Sequence, residues 1–181
     1  MLHFTSTTLI EYLEQVFPQI KGEFTVLDLA ERHLKVKLNV PDKHLRPGGT
    51  VSGPSMFSLA DVSVYMAIIA MIGQEPLTVT TGCSLDFMRK PVGGRDIIAS
   101  CTLFKLGRSL AVGDVLIHSE ALPEPVARAT MTYAIPPKSE TLMPMSKTPR
   151  RVGGLGFGHG RRGLRWLVAC AFGKWIILPL H

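Results

Sequence analysis

The sequence predicts an α+β domain in which a curved antiparallel sheet wraps one long buried helix, and three observations carry that prediction. Residues 45–72, LRPGGTVSGPSMFSLADVSVYMAIIAMI, run from a loop rich in Gly and Pro into a stretch at helical length that is apolar on every face. From Met56 to Ile72 the only charge is Asp61, and a helix with no polar face belongs at the centre of a fold. Short segments with a period of two flank this helix, two before it and four after it, with turn residues between them. One helix set among that many strands is covered most simply by a sheet that bends around it. With 181 residues, 46% of them hydrophobic, the chain has enough for one core and too little for two.

Each element has a local reason. Residues 5–17 place Leu9, Ile10, Leu13, Val16 and Phe17 at helical spacing, and Pro18 stops the run. A hairpin follows. In its first arm Phe24, Val26 and Asp28 lie opposite Thr25, Leu27 and Leu29; in its second Leu34, Val36, Leu38 and Val40 alternate with Lys35, Lys37 and Asn39, and residues 31–33 make the turn. Residues 41–51 are a loop. Four more strands are expected at about 78–89, 96–106, 110–120 and 126–135, separated by PVGGR, GRS and LPEP turns. In the last of them Ala127, Ala129, Met131, Tyr133 and Ile135 share one face, which marks that face as core.

The domain is expected to end near residue 137. Residues 138–151 read as a linker, and the remainder to 181 is a basic tail with a Gly-rich stretch and both tryptophans. The tail distorts the overall charge. Of the net +6, residues 146–181 supply seven Lys or Arg and no acid, which leaves 13 basic against 14 acidic side chains in the rest. The body is therefore not basic, and no nucleic-acid partner is expected. Residues 164–180 are too short and too interrupted by Arg165, Lys174 and Pro179 to span a membrane. A membrane-surface helix is one reading of the tail; an extension outside the fold is the favoured one. Cys83, Cys101 and Cys170 form neither a CxxC pair nor a Cys/His cluster, so no metal site is expected. With no basic, apolar leader at residues 1–17, a reducing, cytoplasmic setting is the expectation.

Two features of the central stretch point to chemistry. Gly53 and Pro54 open the helix, with Ser52 or Ser55 as its cap, and the free N–H groups of such a terminus favour a developing oxyanion. Asp61, two turns on, is a carboxylate in an apolar setting and must be hydrogen-bonded, shifted in pKa or used. It lies ~12 Å from Gly53 along the axis, too far to act on a carbonyl held there. An antiparallel two-fold partner could bring a second Asp61 to that helix start, so the lone acid is also a prediction of a homodimer.

These residues resemble those of the PaaI-like acyl-CoA thioesterases of the hotdog superfamily. SGP followed by SLAD keeps the family spacing of an HGG-type turn and an LxD motif. VTTGCSLDFMRKP and LFKLGRSLAVGDVLI look like the strands that follow, and the resemblance spans residues 24–136. It implies a hotdog fold and a coenzyme A thioester as substrate, with no cofactor beyond it. By position it implies Asp61 as general base or nucleophile, Gly53 as the N–H donor to the thioester carbonyl, and Thr80 as a hydroxyl positioning water. Arg89, Lys90 and Arg108 fall where basic side chains can meet coenzyme A phosphates. Two departures stand out. The family histidine is Ser52 and the second glycine is Pro54, which removes an N–H; a loop asparagine found in some members is Arg46.

The expected activity is hydrolysis of an acyl-CoA thioester at the interface of a dimer or tetramer. Pocket depth is expected to depend on how Met56, Phe57, Tyr65 and residues of a partner subunit pack. A non-catalytic acyl-CoA-binding or regulatory protein on the same fold is the alternative, motivated by the two departures. A dehydratase would want a histidine beside the carboxylate, and the loop candidate, His44, precedes the glycine turn.

Overall fold

The computed structural model describes residues 1–120 and 122–137 in full, and the backbone of residues 166–171 and 174–179. Helix α1, Ser6–Val16, is capped by Thr5, whose hydroxyl accepts from the Thr8 N–H, and it ends before Pro18. Strands β1, Phe24–Ala30, and β2, His33–Leu38, form the hairpin. The loop after it contains a single 3-10 turn at Asp42–His44, and helix α2, Gly53–Ile72, follows. Strands β3, Val79–Phe87, β4, Ile97–Leu106, β5, Leu110–Ser119, and β6, Pro125–Ala134, complete one six-stranded sheet in the order β1-β2-β4-β5-β6-β3. Every pairing is antiparallel.

The sheet curls around α2, and α1 closes the open side near the chain start, where the His3 N–H bonds the Ala70 carbonyl. From Leu59 to Ala70 every residue of α2 is buried, which is what an all-round apolar helix requires. The approach is close at β5. A Cβ on Gly113 would lie 3.1 Å from a Leu103 methyl and 3.2 Å from both Val64 methyls, so the glycine allows the helix to sit down on the sheet. On the concave face Leu34, Val36, Ile97, Ala99, Val115, Ile117, Ala129 and Met131 are at most 1% exposed, and they alternate with outward residues as the period of two demands.

The hairpin departs from simple alternation. A bulge between Val26 and Asp28 shifts the register of β1, so Leu29 rather than Asp28 turns to the core, while Leu27 is left exposed. An extra residue in one strand reverses the facing of all that follow. The linker expected at 138–151 and the Gly-rich segment after it lie outside the described residues. At 166–171 and 174–179 the backbone is not helical. Strands β7, Trp166–Ala171, and β8, Lys174–Pro179, pair antiparallel in a separate two-stranded sheet, with β7 alongside β3.

Candidate active site

Asp61 is 2% exposed, and its Oδ1 is gripped from two strands. The Thr80 hydroxyl on β3 donates to it at 2.5 Å, and the Tyr133 hydroxyl on β6 stands at 2.5 Å from the same oxygen. Thr80 and Tyr133 are cross-strand partners, so the pairing of β3 with β6 delivers both hydroxyls to one carboxylate. No described residue bonds Oδ2. Burial raises the Asp61 pKa, and the bonds from Thr80 and Tyr133 pull against that rise without cancelling it. The same burial, with the Asp61 charge beside it, holds the Tyr133 phenol well above its ordinary pKa.

At the start of α2, Ser52 caps the helix by accepting from the Ser55 N–H at 3.3 Å. Its hydroxyl also meets Ser55 Oγ at 2.9 Å, and Ser55 Oγ in turn lies 3.0 Å from His44 Nδ1. His44 Nε2 is 3.6 Å from a Glu23 carboxylate oxygen. Burial lowers the His44 pKa against the pull of Glu23, which favours the neutral ring. The turn thus recruits a histidine from eight residues upstream of Ser52, through Ser55. The Gly53 N–H has no acceptor among the described residues, as expected of the first helical position. Gly53 lines a cavity of about 370 Å³ together with Met56, Phe87, Arg46, Arg89 and Lys90. Gly53 leaves room there, since a Cβ would come within 3.1 Å of the Phe87 ring.

The sequence-derived residues therefore fall into three places. Asp61 and Thr80 meet directly. Gly53, Arg46, Arg89 and Lys90 share the cavity at the helix start, with Ser52 at its cap. Arg46 is steadied by its Nε–H bond to Thr50 Oγ1 at 2.8 Å, and Arg89 stands 3.8 Å from Glu124 in an exposed pair that contributes little. Arg108 is apart from the other cations. It lines a cavity of about 850 Å³ with Met71, Ile72, Ile135 and Pro136, at the other end of a helix ~30 Å long. Tyr65 is buried, with its ring edge-on to Phe17.

One residue of the site escapes sequence reasoning, and a second, His44, is reached there only as a dehydratase candidate. Tyr133 reads as core from the period of two, and it is core. The available signal is its hydroxyl, because a buried phenol needs a partner and Asp61 is the only charge in the central helix. His44 stands before the turn in sequence; only the fold of the loop carries its ring to Ser55.

Comparison with known proteins agrees with this architecture. The thioesterase superfamily matches residues 48–125. A candidate esterase of Pseudomonas aeruginosa is 32% identical over 117 residues, which cover 64% of this chain and 84% of that protein. The crystal structure of a candidate thioesterase from Silicibacter sp. TM1040 is 60% identical, with a TM-score of 0.72 over 76% of this chain and 95% of that one. A variant of the phenylacetic acid degradation protein PaaI from Thermus thermophilus is 28% identical, with a TM-score of 0.57 over 65% of this chain and 98% of that one. The wrapped central helix, the glycine turn that opens it and these matches lead to one conclusion: the chain belongs to the thioesterase superfamily and has the hotdog fold.

Proposed function

We propose that the protein hydrolyses the thioester of a coenzyme A conjugate, with Asp61 of one subunit acting on a carbonyl held at the helix start of another. The observation that carries this reading is the Asp61 carboxylate: one oxygen is held by two hydroxyls, the other has no partner among the described residues, and burial favours its protonation. A group of that kind is suited to take a proton from water near neutral pH. Water attacks the carbonyl carbon and gives its proton to Asp61 as the C–O bond forms. The Gly53 N–H stabilises the oxyanion. Collapse breaks the C–S bond, and the departing thiolate takes the proton back from Asp61, leaving a carboxylic acid and a free thiol.

The dimer is part of the proposal because Gly53 and Asp61 are separated along one helix. Strand β3 supports it: it is an edge strand, hydrogen-bonded within its sheet only to β6, and Thr81 to Ser84 are exposed on it. An edge hydrogen-bonded on one side only, and flanked by β7 without joining it in one sheet, is a template for a second strand. Coenzyme A as the thiol portion is supported by the cations at the cavity rim. Arg46, Arg89 and Lys90 stand beside the carbonyl site, where a phosphate-bearing thiol would extend. Arg108 is not part of that rim within one chain.

The test is thiol release from short-chain, long-chain and aryl coenzyme A thioesters. Turnover of at least one class is expected; binding of these thioesters with no thiol release across the panel would favour a non-catalytic protein instead. In the same assay Arg89→Gln with Lys90→Gln should raise KM for coenzyme A thioesters about tenfold or more. kcat should change little, because contacts to a remote phosphate are made equally in ground and transition states. An unchanged KM, or an equal loss with a thioester lacking phosphates, would remove these residues from the substrate site.

A further inference from the structure

We propose that Tyr133 is a positioning residue for hydrolysis, clamping one oxygen of Asp61 so that only the other is presented to water. The inference deepens the reading of Asp61 as the base and rests on it. Its ground is a bridge within one residue. The Tyr133 hydroxyl lies 2.5 Å from Asp61 Oδ1 and also 2.7 Å from the Asp61 main-chain oxygen. A rigid, fully buried ring thereby ties the carboxylate to its own backbone, and the side-chain torsions of Asp61 lose their freedom. Thr80, on the neighbouring strand, completes the hold on Oδ1.

The second contact matters when the base changes state. A tyrosine hydroxyl has one proton and here two acceptors. While Asp61 is ionised, the carboxylate is the stronger acceptor and takes it. When Oδ2 gains the proton of the attacking water, Oδ1 becomes a weaker acceptor, and the Tyr133 proton can turn to the main-chain oxygen already in reach. The buried phenol then keeps an acceptor in both states of the base, and neither state leaves it unsatisfied at the cost a buried polar group carries. Thr80 donates to Oδ1 and also stands beside the Tyr133 hydroxyl, so the three oxygens form one cluster.

The other titratable groups in reach leave Asp61 as the one that responds. From β3, the pKa of the Cys83 thiol is raised first by partial desolvation against its neighbours, although its surface is exposed, and second by the Asp61 charge. From β4, Cys101, beside Tyr133, is pushed up to about 12. Both remain thiols through the neutral range.

The test is the pH profile of kcat/KM for a coenzyme A thioester with Tyr133→Phe, run beside the parent and Asp61→Asn. Phenylalanine keeps the ring and removes the bond that favours the ionised carboxylate, so the acid limb should move to higher pH. Activity below the limb should drop about tenfold or more, with much of it recovered in alkali. A merely structural tyrosine would lower activity uniformly and leave the limb in place, and that result overturns the proposal. Should Tyr133→Phe fail to fold, 3-fluorotyrosine incorporation keeps the proposal testable. The chain has three tyrosines, and of these Tyr133 is the one bonded to Asp61. A more acidic phenol is a stronger donor, so the limb must then move to lower pH; an unmoved limb overturns the proposal. Active Asp61→Asn would overturn both the base and its clamp, whereas inactive Asp61→Asn with an unmoved limb in the tyrosine variants removes the clamp alone.

Discussion

Asp61→Asn is expected to lower kcat for thioester hydrolysis about 10²- to 10⁴-fold, the usual contribution of a positioned general base, and to make the protein more stable at neutral pH. The two effects have one cause. Asparagine keeps a carbonyl oxygen to accept from Thr80 and Tyr133, so packing and two hydrogen bonds survive, but it carries no charge to desolvate. The sign of the stability change follows from the direction in which burial moves the carboxyl. Burial raises the Asp61 pKa in the folded chain above its value of 3.8 in the open chain. The folded state therefore binds the proton more tightly, and this stabilising contribution is complete below about pH 3.8. It is lost as pH rises through the raised folded value, and above that value the parent carries a constant penalty. Thermal melts followed upward from about pH 4 should show the parent falling behind Asp61→Asn as pH rises through the raised folded value, then running parallel to it above that value. A tenfold change in acid strength corresponds to about 1.4 kcal/mol, so the plateau gap measures how far burial displaces the carboxyl. A melting temperature for Asp61→Asn at or below that of the parent at pH 8 would contradict the burial penalty. Parent-like hydrolysis by the variant would remove Asp61 as the base.

Gly53→Pro is expected to lower kcat about 10²- to 10³-fold through loss of one oxyanion donor, with a fold that is retained. Proline is well suited to the first turn of a helix, where the N–H makes no intrahelical bond, and Ser52, at φ −74° and ψ 153°, already has the extended backbone a following proline requires. Any Cβ at position 53 is strained before Pro54, equally in Gly53→Pro and Gly53→Ala, so that strain cancels between them. The necessary control is Gly53→Ala. It adds the same Cβ against the Phe87 ring but keeps the N–H. Phe87 is 55% exposed at the end of β3, so its ring can yield, and a few-fold effect is expected from crowding alone. The difference between the two variants isolates the N–H. Equal kcat values for them would show that this amide does not stabilise the oxyanion.

These predictions draw unequally on sequence and on structure. The central helix is legible because residues 56–72 carry one charge, and no surface helix tolerates that. The six strands are legible from their alternation, and their observed bounds fall within two residues of those expected. The first strand departs from its expected facing at the far end because a bulge leaves no mark on a period-of-two pattern until the partner strand is known. Arg108 groups with Arg89 and Lys90 in the sequence because all three flank strand ends. The fold separates them, since β4 and β5 meet at the far end of α2 from the loop that follows β3. The segment at 164–180 allows a helix on its apolar content, and its described backbone is a hairpin.

What the sequence determined by itself is that one carboxylate sits in an apolar helix and that a capped glycine turn opens the same helix. Composition and spacing suffice for both, because each is a local property of residues 45–72. What only the tertiary structure decided is how that carboxylate is held. Thr80 lies 19 residues from Asp61 and Tyr133 lies 72 residues away, and nothing local to either predicts that β3 and β6 pair in the register that brings both hydroxyls to Oδ1. His44 reaches Ser55 for the same reason. Hydrogen bonds between distant side chains depend on register and loop path, and those are set by the packing of the whole sheet around α2.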